Sequence, residues 1–207
     1  MALSSLVIFE KLPVHGDELT EGNIIEERYS TVYSKWIENG VKPIMGFSSV
    51  ISSEGLTVTK SAAAITKENS KGYEKSVVHL KKEEAVEFTV TVEEEGLYEV
   101  AVDYYPLSEG LIEIQGQLMV NGAYPYYEAR RIVFPVLWES ATKNFEEDRK
   151  GNQVAPLQLK VEGWRAMKLE DPSNREPEPL KIFLNKGINT LRLIGGRGEV
   201  LIGDIAI

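Results

Sequence analysis

Hydrophobic and polar positions change their period once along the chain. Between 18 and 40, Ile25, Tyr29, Val32 and Trp36 recur at helical spacing with Ile37 adjoining. Asn23 followed by Glu26 resembles a capping box, and Asn39-Gly40 and Pro43 end the run. The pattern predicts one amphipathic helix, with Tyr29, Tyr33 and Trp36 as core or docking residues. After Pro43 the period is 2. Val86, Phe88, Val90 and Val92 alternate with Glu87, Thr89, Thr91 and Glu93; a Glu94-Glu95-Gly96 turn follows, and then Tyr98, Val100, Val102 and Tyr104 alternate. This predicts an antiparallel pair with one buried face. Further strands are predicted at 56–59, 76–80, 111–120, 131–137, 157–161, 180–184, 190–194 and 200–207. They are short and separated by Gly, Pro, Asn and acidic clusters, with no helix-length pattern between them. Such spacing predicts an all-β sandwich rather than a parallel α/β sheet. The stretch 139–156 is polar and predicts a long loop, functional or mobile.

Composition narrows the chemistry. The 207 residues are 43% hydrophobic, enough for a sizeable core, so disorder is excluded and one domain with an appendage is expected. The net charge of -9 has the wrong sign for a phosphate backbone, and nucleic acid is not expected as a partner. With no Cys there is no disulfide, thiolate metal site or thiol nucleophile. The imidazoles are His15, in a loop, and His79, in a strand-like run where it reads as packed or edge. A transmembrane helix needs roughly 18 consecutive apolar residues, and no run approaches that. The apolar opening to Phe9 lacks a basic segment and meets Glu10-Lys11, so it does not read as a signal peptide; the abrupt start and the strand-like finish read as a piece of a longer chain.

Motifs for catalysis are missing. No G-x-S-x-G elbow occurs, and Gly195-Gly196-Arg197-Gly198 lacks the Lys-Ser/Thr and helix of a phosphate loop, so it predicts a hairpin turn. Glycoside hydrolysis needs two carboxylates roughly 5 to 10 Å apart. A pair such as Glu128 with Asp148 can be drawn, but the sequence singles none out, and no enzyme is expected. Sugar binding asks for aromatic faces and planar polar side chains. Tyr124, Tyr126, Tyr127, Trp138 and Trp164 offer faces, with Glu128, Arg130, Asp148 and Asn152 as polar partners; Trp138, after the apolar run 133–137, reads first as core, and Trp164, in a polar stretch, reads equally as core or platform.

The order of these residues resembles a known family. Gly96-Leu97-Tyr98, Tyr104-Tyr105-Pro106, Leu118-Met119-Val120-Asn121-Gly122, Glu128-Ala129-Arg130, Trp138, Asp148, Gly151-Asn152, Pro156, Gln158 and Trp164 carry the likeness. They resemble the carbohydrate-binding-module-like domain at the front of extracellular solute-binding lipoproteins of Gram-positive bacteria. Leu184-Asn185-Lys186-Gly187-Ile188-Asn189-Thr190-Leu191 and the closing 202–207 are similar to galactose-binding-like jelly rolls, including carbohydrate-binding families 6 and 35. The resemblance implies an all-β jelly-roll β-sandwich over 43–207 behind an N-terminal helical extension, 1–42. It also implies a non-catalytic module, extracellular or attached to the cell surface, that binds an oligo- or polysaccharide beside neighbouring domains and serves an ABC transporter. Families 6 and 35 commonly open with an acidic Glu-x-Glu strand that helps hold a structural calcium. Here the matching region reads Ile44-Met45-Gly46-Phe47-Ser48, so calcium, and any other cofactor, is not expected. The rival expectations are a structural or protein-interaction sandwich and, third, a glycoside hydrolase.

Overall fold

A computed structural model describes residues 26–46, 49–51, 64–66, 70–108 and 111–207. The strand predicted at 56–59, the capping residue Asn23, and His15 lie outside these residues. The chain folds as an antiparallel β-sandwich of jelly-roll type. One sheet has the order β13–β6–β16–β3–β2, from Arg165–Lys168, Ala101–Pro106, Val200–Ala206, Val77–Leu80 and Ala64–Thr66. In this sheet β1, Val50–Ile51, also pairs β16. The facing sheet is β4–β15–β7–β8, from Ala85–Val92, Gly187–Gly195, Ile114–Val120 and Ile132–Phe134. A smaller ribbon joins β5, Gly96–Glu99, to β14, Lys181–Leu184. The approach to it along β5 is tight: a Cβ on Gly96 would lie 2.9 Å from the Lys42 carbonyl.

The period-2 residues do what their parity requires. Val86, Phe88, Val90 and Val92 of β4, and Ile114, Leu118 and Val120 of β7, point into one core with Val102 and Tyr104 of β6 and Val200 and Ile202 of β16. A fully buried side chain of this size contributes about 1.5–3 kcal/mol. The predicted pairing of 86–92 with 98–104 is corrected: β4 pairs β15, while β5 and β6 pair β14, β13 and β16. Both segments alternate because both face the same core, but from opposite sheets, and the acidic turn carries the chain across. For the same reason 195–198 is not a hairpin turn. It connects β15 to β16, which lie in different sheets. Gly195 is required there, since a Cβ would sit 1.9 Å from the Lys81 carbonyl oxygen.

The polar stretch 139–156 is not a plain loop. β9, Trp138–Ser140, pairs β12, Gln158–Lys160, and further out β10, Glu146–Glu147, pairs β11, Gln153–Val154. The motif around Asn185 and Asn189 is an amide network centred on the buried Asn189. Asn189 Nδ2 donates to the carbonyls of Asn185 at 2.7 Å and Gly187 at 3.2 Å, and its Oδ1 accepts from Asn185 N–H at 3.0 Å and Asn121 Nδ2 at 2.9 Å.

Among the described residues one α-helix, α1, spans Tyr29–Glu38. Tyr29, Val32, Tyr33 and Trp36 pack on the sandwich as the helical pattern predicts, whereas Ile37 is exposed. Tyr29 is buried against Tyr126 with ring centroids 4.9 Å apart, and Trp36 reaches Phe183 at 6.3 Å. No helix among the described residues is long and apolar enough to cross a membrane.

Candidate functional site

The first sheet is buried on both faces at its centre. Val200 and Ile202 of β16 enter the main core, whereas Leu201 faces outward beside Val77 and Tyr105 in a second, smaller cluster. Register sets this face: Leu201 lies opposite both Tyr105 and His79, so all three project to the same side. His79 is half-buried there, with Nε2 2.8 Å from Glu199 Oε2.

A bulge organises the cover over this cluster. The β16–β6 register shifts between Ile202 and Ile205, which frees the Asp204 N–H from the ladder; it donates instead to Tyr73 Oη at 2.9 Å. The Tyr73 hydroxyl in turn donates to Asp103 Oδ2 at 2.9 Å. Gly203 leaves room for the ring, because a Cβ would fall 2.6 Å from Tyr73 Cζ. Trp164 then stacks on Tyr73 at 4.2 Å and meets Tyr105 edge-on at 5.8 Å. Its indole N–H is buried with no partner among the described residues.

Beside this stack, where β6 ends, is a cleft of about 350 Å³ lined by Lys71, Tyr105, Pro106, Leu107, Trp138, Lys160 and Glu162. Trp138 opens β9 directly across from Lys160 on β12. Lys160 ties that hairpin to the sheet by donating to the carbonyls of Pro106 at 2.6 Å and Ser108 at 3.2 Å. Lys71 comes from a short turn in which it holds a left-handed φ of 56°, an uncommon conformation for a residue with a Cβ, and its ammonium lies 5.5 Å from the Tyr105 ring centroid. The Tyr105 hydroxyl donates to Glu162. Burial foremost, and then this hydrogen bond, push the Tyr105 hydroxyl up to about 12. The same hydrogen bond holds the Glu162 carboxyl below its usual value, with Lys71 and Lys160 adding to the effect. Glu162 is therefore an anion at neutral pH between two cations. The cleft offers aromatic walls and a charged rim, a combination suited to a polyhydroxylated ligand.

The candidate residues from the sequence divide into separate places. Trp138 lines the cleft and Trp164 buttresses it from behind. Tyr126 and Glu128 are corrected to interior roles. Tyr126 is 1% exposed and wedged against Tyr29 and Trp36, and burial holds its hydroxyl far above the ordinary value. Glu128 is buried with Oε2 accepting the Tyr29 N–H at 2.8 Å. Arg130 forms a paired contact with Glu26, Nε to Oε2 at 2.5 Å, and stacks 4.1 Å from the Tyr124 ring centroid. Tyr124 donates to Gln117. Tyr127 is exposed but lies 5.7 Å from the Arg28 guanidinium and gives its N–H to the Glu27 carbonyl at 2.9 Å. These residues grip the entry to α1. Asp148 and Asn152 sit at the tip of the β10–β11 hairpin, where Asp148 accepts from the Lys150 and Asn152 N–H groups at 2.8 and 2.9 Å and from Asn152 Nδ2 at 2.9 Å. The Asn152 side chain foremost holds the Asp148 carboxyl below its usual value.

Sequence reading missed Tyr105, Lys71, Lys160 and Glu162 as site residues. Parity could have found Tyr105, since Tyr104 faces the core and its neighbour must face out. No periodic signal marks the other three, which meet through folding. Among the described residues no three of His, Asp and Glu gather at metal-binding spacing.

No family model and no curated protein matches the chain. Among solved structures, the fold is similar to a family 35 carbohydrate binding module from Clostridium thermocellum, at 16% identity and a TM-score of 0.44 over 77% of this chain and 97% of that one. It is also similar to the GH26-CBM35 β-(1,4)-mannanase of Podospora anserina, at 14% identity and a TM-score of 0.46 over 76% of this chain and 26% of that one. A third likeness is to a family 35 carbohydrate binding module from an environmental isolate, at 10% identity and a TM-score of 0.40 over 76% of this chain and 90% of that one.

Proposed function

We propose that this is a non-catalytic carbohydrate-binding domain that takes its ligand in the cleft between Tyr105 and Trp138. The observation that carries the reading is the juxtaposition, around about 350 Å³, of two aromatic side chains with Lys71, Lys160 and Glu162. The ring faces take the C–H side of a pyranose, and the fixed charges take its hydroxyls. Glu162 is the one carboxylate among the described lining residues, and it is engaged by Tyr105. Glycoside hydrolysis requires two facing carboxyl groups, so the lining supports recognition rather than turnover. The module would work outside the cell, on an exported or surface-attached protein, presenting an oligo- or polysaccharide to a solute-binding partner of an ABC transporter. Residues 1–42 are then a lead-in and 43–207 the binding module. Trp138, with Lys71, Tyr105, Lys160 and Glu162, replaces the wider set of candidates.

Titration with a glycan panel, followed by Trp fluorescence in the protein and in Trp138→Ala, tests this. Saturable binding that Trp138→Ala abolishes is expected; silence across plant, fungal and bacterial glycans overturns it.

One observation favours a second reading, an interaction domain. Tyr126, Tyr127, Glu128 and Arg130 bind residues 26–29 of the same chain. In that reading the sandwich fixes the orientation of whatever α1 precedes or contacts, and no glycan binds.

A further inference from the structure

Trp138 does not only wall the cleft just described. On its other side lies a second depression of about 220 Å³, lined by Leu111, Ile112, Val133, Phe134 and Val136 among others, and of the described residues Trp138 is the one that lines both. The two differ in chemistry. The first has two lysines and a glutamate at its rim, whereas the one charged side chain of the second, Glu113, is already bound to Arg131 Nη2 at 2.9 Å and to Gln115 Nε2 at 2.8 Å. The floor of the second depression is fixed. Phe134 is 1% exposed and packs over Gly116, and the neighbouring Pro135 carbonyl accepts the Tyr104 hydroxyl at 2.8 Å. Its rim is apolar and open to water: Leu111 is 85% exposed and Ile112 42%.

We infer that the ligand is a glycan carrying an apolar substituent, an acyl or alkyl group, with the sugar in the charged cleft and the substituent past Trp138 in the apolar one. The inference rests on the carbohydrate reading of the first cleft. A second sugar is a poor occupant of the apolar side, because with Glu113 already bound the Trp138 indole N–H is the one polar side-chain group among the described lining residues left to receive its hydroxyls. A hydrocarbon gains where the sugar loses, by covering Leu111 and Ile112 and resting on Phe134. The depression meets the first cleft at Trp138, the one described residue that lines both.

Calorimetric titration with methyl, butyl and octyl glycosides of glucose, galactose and mannose, the octyl compounds kept below their micelle concentration, decides the matter. Affinity should rise about fourfold for each methylene removed from water until the cleft is filled. Ile112→Asp should collapse the octyl-to-methyl affinity ratio toward one, and Val133→Asp, checked for folding by circular dichroism, should do the same. A series that stays flat while the methyl glycoside binds overturns the inference and leaves the carbohydrate reading standing. A ratio that survives both substitutions places the alkyl chain elsewhere and also overturns it. Failure of every glycoside to bind overturns the carbohydrate reading and this inference together.

Discussion

The carboxylate of Glu128 accepts the backbone N–H of Tyr29 at 2.8 Å, across 99 positions of sequence. Tyr29 is the first residue of α1, and Arg28 at the cap position supplies no side-chain hydrogen bond. An anion borrowed from another segment therefore satisfies one orphan donor and faces the positive end of the helix. The Arg28 guanidinium, 3.9 Å away, offsets part of its charge.

Removing that carboxylate should cost about 2 kcal/mol, the range for a hydrogen bond to a charged group. Glu128→Ala should lower the denaturant midpoint, and so should deletion of residues 1–42, which exposes Tyr126. Combining the two should cost no more than the deletion alone, because both remove the same contact. Full additivity in the double-mutant cycle would show that Glu128 acts elsewhere.

Trp164 should behave as a packing residue. Its ring packs on Tyr73 and meets Tyr105 edge-on, and Trp164→Ala should destabilise by about 2 kcal/mol, less than a fully buried tryptophan because the side chain is only half-buried. Gly203→Ala should produce a similar loss by driving a methyl into the Tyr73 ring. Thermal unfolding measures both. Unchanged stability in Trp164→Ala with complete loss of glycan binding would make Trp164 the platform and Trp138 the support.

Stability should fall at both ends of the pH scale. Lys168, with Lys181 beside it, holds Glu99 below its usual 4.5 through hydrogen bonds; Arg131 does the same for Glu113, and Arg130 for Glu26. A depressed carboxylate contributes stability above the unfolded value, and the contribution is lost as pH drops below about 4.5 toward the folded value. Burial pushes Tyr29 and Tyr105 up to about 12, so their contribution holds below the ordinary 10 and disappears as pH climbs toward 12. Denaturant midpoints across pH should form a plateau between these limits, and Glu99→Gln should flatten the acid limb. A midpoint that rises on acidification would contradict this account. Tyrosinate absorbance should appear in two phases, the later one coinciding with unfolding.

Asp148 and Asn152 should matter only locally. Both are exposed, and the bonds they make close the β10–β11 turn. Asp148→Ala should speed amide exchange at Lys150 and Asn152 while the melting temperature and glycan binding stay as they were. Lost binding would return these residues to the site.

The sandwich was legible because burial on one face imposes parity: β4, β7 and the helix stripe all show it in their residue order. Which strand pairs which was not legible. Parity reports the buried face but not the partner, so β4 and β5–β6, both facing the core, read as a hairpin. The strand predicted at 157–161 is β12, whereas β9, β10 and β11 carry no readable alternation because nearly all their residues are exposed. At the candidate site, aromatic and polar crowding pointed to Trp138, which lines the cleft. It also drew in Tyr126 and Glu128, because a buried latch for a helix and a sugar site call on the same residue types.

The two central strands, β15 and β16, come from residues 187–206, and each is flanked by strands made earlier. During synthesis β4, β6 and β7 leave the ribosome long before the strands that will separate and pair them. Beyond the β2–β3 and β7–β8 pairs neither sheet can zip up locally, and pairs such as Val50 with Ala206 must close about three-quarters of the chain. Folding should consequently be slow and all-or-none, and any fragment that stops short of β15 should present sticky, unpaired edges instead of a partial domain.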